Sequence, residues 1–96
     1  MLTIDRIKEV VTRLGKKYGV KNVYLFGSYA KNTATENSDV DLIIDKGNMS
    51  SFREYYHLYK DLHDEFGTKI DLLTEKSVST DFLKAIENDR ILLYGA

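Results

Sequence analysis

The sequence predicts an α/β or α+β fold in which a small sheet is covered by helices. Two kinds of apolar pattern lead there. One recurs at helical spacing, as in Ile4, Ile7, Val10, Val11 and Leu14; the other forms short runs such as Val23 to Phe26, Leu42 to Ile44 and Ile70 to Leu73. They alternate along the chain without internal repeats, low-complexity stretches or linkers, so residues 1–96 read as one domain. A chain of this size buries roughly 60 to 70% of the surface its unfolded form exposes, enough to fold alone with little margin.

The first helix begins after Thr3, a capping residue, with Asp5 favourable in the first turn, and ends near Tyr18, where Gly19 supplies a left-handed stop. A strand follows from Lys21 or Asn22 to Phe26. Gly27-Ser28 then opens a short helical turn through about Lys31, and a polar loop leads to Ser38. The second strand covers roughly Val40 to Ile44, and Asp45-Lys46-Gly47-Asn48 reads as a turn. Ser51 to Glu54 has the form of a capping box. The helix it opens carries Phe52, Tyr55, Tyr59, Leu62 and Phe66 on one side and stops at Gly67. Lys69 to Leu73 is a short third strand holding one acid, Asp71. A last helix follows Thr80, and Ile91 to Tyr94 is a final strand or apolar tail.

Composition narrows the function classes. Hydrophobic residues at 43% and charged residues at 30% describe an ordinary globular protein. No apolar run approaches the ~20 residues that cross a bilayer, and MLTIDRIKEV lacks a signal-peptide core, so a cytoplasmic protein without a membrane partner is expected. With no cysteine, any metal must be held by oxygen or imidazole. A net charge of -1 argues against a broad grip on nucleic acid, although a local basic patch is compatible with it. The phenylalanines Phe26, Phe52, Phe66 and Phe82 are assigned to the core.

The stretch that carries chemistry is VYLFGSYAKNTATENSDVDLII, Val23 to Ile44. A glycine between a strand and a helical turn lets backbone approach a ligand, and the freed N–H groups make an anion site to which Ser28 adds a hydroxyl. Asp39 and Asp41, two residues apart, project to one face while Val40 and Leu42 project to the other. Paired carboxylates at the mouth of an apolar strand repel unless a cation such as Mg²⁺ lies between them. Asp71 sits among Ile70, Leu72 and Leu73; if its strand adjoins the second, three carboxylates meet on one face, as in a two-metal phosphoryl-transfer site.

Gly27-Ser28, ten residues, Asp39-Val40-Asp41 and the later Asp71 resemble the signature of the DNA polymerase β-like nucleotidyltransferase superfamily. The wording LFGSYAKNTATENSDVDLII is similar in particular to its minimal nucleotidyltransferases, the MNT antitoxins that accompany HEPN toxins. The resemblance covers essentially the whole chain. It implies that family's small mixed β-sheet flanked by helices, with Gly27 and Ser28 binding the triphosphate. Asp39, Asp41 and Asp71 would bind two Mg²⁺ ions, with ATP as nucleotide substrate. The implied activity transfers AMP to a hydroxyl, a tyrosine of a HEPN partner, with loss of pyrophosphate. Two positions depart from many relatives: Asn32 stands where they have Gly, and Tyr29 where they often have Arg. Both flank the phosphate turn and bear on nucleotide affinity.

Two rival functions remain at this level: a non-catalytic module that neutralises a partner by covering it, and a nucleotidyltransferase for a small molecule or an RNA end. His57 and His63, six apart on a helix, read as surface residues. Lys31 and Lys46 lie near the motif strands, where either could reach phosphate, but each reads as a solvated surface lysine, and Tyr56 faces away from the Tyr55–Tyr59 side.

Overall fold

The computed structural model describes residues 1–95. Its elements are α1 (Ile4–Tyr18), β1 (Asn22–Phe26), α2 (Gly27–Ala30), β2 (Val40–Asp45), α3 (Phe52–Phe66), β3 (Ile70–Thr74), a 3₁₀ turn (Glu75–Ser77), α4 (Thr80–Ile86) and β4 (Ile91–Tyr94). The predicted caps form: Thr3 accepts from the Arg6 N–H, Ser51 accepts from the Glu54 N–H, and Gly19 and Gly67 close α1 and α3 in the left-handed conformation. A further cap, Ser79, accepts from the Phe82 N–H and starts α4.

The sheet is mixed, in the order β3-β2-β1-β4. β1 runs antiparallel to both β2 and β4, so Ile91 to Tyr94 is an edge strand. β2 and β3 are parallel, which requires a crossover, and α3 supplies it.

Alternation along the strands separates the two faces. Val23 and Leu25 of β1, Val40, Leu42 and Ile44 of β2, and Ile70 and Leu72 of β3 pack with Ile7, Val10, Leu14, Leu58 and Leu62 into the main core beneath α1 and α3. Ion pairs fasten those helices at their rim, Arg6 and Arg13 to Glu65 and Lys17 to Asp61. Burial, with the hydrogen bond that the Tyr18 hydroxyl donates to Asp61, pushes the phenol up to about 12, and that hydrogen bond lowers the Asp61 carboxyl against the opposing effect of burial.

The other face carries Tyr24, Phe26, Asp41, Ile43 and Asp71, and α4 covers part of it: Phe82 meets Phe26 edge to face at 5.6 Å, and Arg90 lies 4.2 Å from the centre of the Tyr24 ring. Phe26 and Phe82 are thus used on this second face, and Phe66 in the main core.

Phe52 does not join the core as expected. It is 82% exposed, because it begins α3 about 1.7 turns before Leu58, the first residue of that helix to be buried. Replacing Phe52 by Ser is expected to change stability by no more than about 0.5 kcal/mol, whereas Leu58→Ala should cost about 2 to 5 kcal/mol. Urea titration of both variants measures the contrast. Among the described residues no helix is long and apolar enough to cross a membrane.

Candidate active site

The site is built where β1 ends, β2 begins and β3 begins. The parallel register puts Asp41 directly beside Asp71, and the antiparallel register puts Phe26 beside Asp41. Asp39 lies just before β2, two residues from Asp41, and the Val40 N–H donates to the Lys69 carbonyl at 3.0 Å, tying the approaches to β2 and β3 together. The condition left open by the sequence, adjacency of the second and third strands, is met.

Gly27 makes the close approach possible. It turns at φ +74°, and a Cβ there would stand 2.1 Å from Asp41 Oδ2, far inside contact distance. The phosphate turn and the carboxylates therefore touch through a position where a side chain has no room. α2 is a single turn closed by the Lys31 N–H donating to the Gly27 carbonyl and the Thr33 N–H to the Ser28 carbonyl.

Electrostatics record the crowding. Burial, a hydrogen bond with Asp71 and the negative charges of Asp71 and Asp39 push the Asp41 carboxyl up to about 7, with Lys69 pulling weakly the other way. The Asp39 Oδ2 lies 3.7 Å from Lys69 Nζ. Among the described residues no three carboxylate or imidazole groups close into a ready metal cage: the acids share a face, but Asp39 is drawn toward Lys69. The donor set itself suits a hard cation, since it is all oxygen and its strand-paired members repel. The three acids are half-buried on the sheet face, and surface clefts under Met1 to Asp5 and beside Phe52 are lined by other residues.

Other candidates fall elsewhere. Tyr29, in α2 beside the phosphate turn, is 7% exposed and its side chain belongs to the main core. Asn32 adopts φ +60°, the left-handed conformation that glycine takes freely and asparagine tolerates best among residues with a Cβ; replacing Gly by Asn there preserves the backbone. Lys46 follows the far end of β2, roughly 17 Å along the strand from Asp41, too far to serve the acids. Lys31 is exposed just beyond α2. His57 and His63 are surface residues, His63 stacked on Tyr59, and Tyr56 is exposed as expected. The residue missed by sequence reasoning is Lys69. Its position two before Asp71 was the available signal.

Residues 8–96 match the family described as Polymerase beta, Nucleotidyltransferase. The chain belongs to this family. A Methanocaldococcus jannaschii protein named as a candidate protein adenylyltransferase is 42% identical, covering 95% of this chain and 98% of its own. The protein adenylyltransferase MntA of Thermococcus cleftensis is 30% identical, over 90% of this chain and 91% of its own. The fold is also that of a chain in the solved complex of a tri-AMPylated Shewanella oneidensis HEPN toxin with an MNT antitoxin (TM-score 0.74, 19% identity, 98% of this chain and 74% of that one). The small mixed sheet flanked by helices that the resemblance implied is what the chain forms, with four strands.

Proposed function

We propose that residues 1–96 act as one minimal nucleotidyltransferase domain that moves AMP from ATP to a tyrosine hydroxyl of a HEPN-type partner in the cytoplasm, and so serves as an antitoxin. The observation that carries this reading is the pairing of Asp41 with Asp71 across β2 and β3, with Gly27 against the Asp41 carboxylate. The names of the relatives supply the nucleotide and the class of acceptor. The acids' placement on an open sheet face suits an acceptor presented by another macromolecule, since small-molecule sites are enclosed clefts.

The acceptor oxygen bonds to the α-phosphorus as the bond from that phosphorus to the bridging oxygen of the β-phosphate breaks, and pyrophosphate leaves. Gly27 leaves room for the phosphates and Ser28 donates to them. Asp71 takes the hydroxyl proton, while Asp39 and Asp41 hold the phosphate end of the site together. Asp39, Asp41 and Asp71 would hold two Mg²⁺ ions, which would supply neutralisation of phosphate charge and a lowered hydroxyl pKa.

The test is intact-mass spectrometry of the HEPN partner after incubation with this protein, Mg²⁺ and each of the four nucleoside triphosphates in turn. The partner should gain AMP-sized increments with ATP, mapping to tyrosine. Gain only with another nucleotide, or on a different residue type, contradicts the proposal.

A further inference from the structure

We propose that Lys69 is the resident counter-ion of the acidic cluster, a positioning residue that a divalent cation displaces and that then pairs with the phosphates of the incoming nucleotide. The inference rests on the nucleotidyl-transfer reading above and goes beyond it, because neither the motif nor the family resemblance assigns Lys69 a role.

Its backbone is fixed where the role requires. The Lys69 carbonyl accepts from the N–H of Val40, the residue between Asp39 and Asp41, and Lys69 stands two positions before Asp71. Its ammonium lies 3.7 Å from Asp39 Oδ2, so the positive charge stands at the edge of the acidic cluster. By contrast, Arg6, Arg13 and Lys17 are engaged with acids of α3 on the other side of the sheet.

The side chain is also free to move. Lys69 is 68% exposed and Asp39 36%, so the pair is solvent-screened and breaks at small cost. A compact ammonium on a flexible four-carbon stem can leave a carboxylate for a phosphate without moving the backbone. The consequence is a coupling: Lys69 opposes a divalent cation that arrives alone and assists one that arrives with a triphosphate.

Two opposite shifts should follow from Lys69→Gln. Mn²⁺ alone, followed by electron paramagnetic resonance of the free ion, should bind about three to five times more tightly than to wild type, the range a screened surface pair supports. ATP titrated at saturating Mn²⁺ should bind about three to five times more weakly. Lys69→Arg should remain within about twofold of wild type in both titrations, since it keeps the charge. Unchanged or weakened Mn²⁺ binding in Lys69→Gln overturns the proposal, as does tighter Mn²⁺ binding without weaker ATP binding. Asp39→Ala/Asp41→Ala, titrated alongside, separates the two levels. If the double variant binds Mn²⁺ as wild type does, the carboxylate reading fails; if it loses Mn²⁺ and Lys69→Gln shows neither shift, only the role of Lys69 fails.

Discussion

Asp41→Asn is expected to lower nucleotidyl transfer about a thousandfold or more and, in the same stroke, to stabilise the fold at pH 8 by about 1 to 2 kcal/mol. The first effect removes a charge from the centre of the acidic cluster. The second follows from the raised Asp41 pKa. Between the ordinary value of 3.8 and about 7, the folded protein holds a proton that the unfolded chain has released. Stability must therefore fall as pH rises through that window and stay low above it. Taken at face value the rise corresponds to about 4 kcal/mol, but water over a half-buried side chain screens much of it. Asparagine keeps the size, can donate to Asp71, and carries no charge to desolvate. Thermal unfolding of wild type and Asp41→Asn in the absence of divalent ions reads this directly: the gap should widen from pH 5 to pH 8, reaching about 5 to 10 °C. A gap that does not change with pH contradicts the account of Asp41.

Gly27→Ala carries the second large effect, and for two separable reasons. The left-handed backbone at φ +74° costs a residue with a Cβ about 1 to 2 kcal/mol. Independently, the new Cβ would lie 2.1 Å from Asp41 Oδ2, so the carboxylate has to move. That contact is with the far end of a side chain, which can swing away, so the fold survives and the site bears the damage. A displacement of about 1 Å at a reacting centre can lower the rate about 100-fold. Urea denaturation together with a transfer assay should show a modest loss of stability and a large loss of activity. Near-wild-type transfer would mean that the turn and the carboxylate do not work as a unit.

Which parts of this molecule were legible in its sequence follows from how local each signal is. Thr3, Ser51, Gly19 and Gly67 mark helix ends by chemistry within one turn, and the structure has helices α1 and α3 ending there. The spacing of Asp39 and Asp41 fixes their common face by the geometry of an extended chain alone. Asp71 needed more, since its meeting with Asp41 depends on which strands pair, and pairing across the α3 crossover is not written in any single stretch.

Lys69 was missed for the same reason: its place two before Asp71 was the one local signal, and only the parallel pairing brings it to Asp39. Phe52 was misplaced because periodicity says how residues are spaced and not where an element stops facing its neighbour. The first turn of α3, where Phe52 sits, precedes the buried part of that helix.

The central claim is that this chain acts on its partner through the carboxylates of β2 and β3. Its most direct test is one experiment with two readouts, comparing wild type with Asp39→Ala/Asp41→Ala against the HEPN partner: the intact mass of the partner, and the growth of cells that express it. The account predicts AMP added and growth protected with wild type, and neither with the double variant. A double variant that still adds AMP, or that protects cells fully without adding it, would contradict the account; the second result would make steric covering the better explanation.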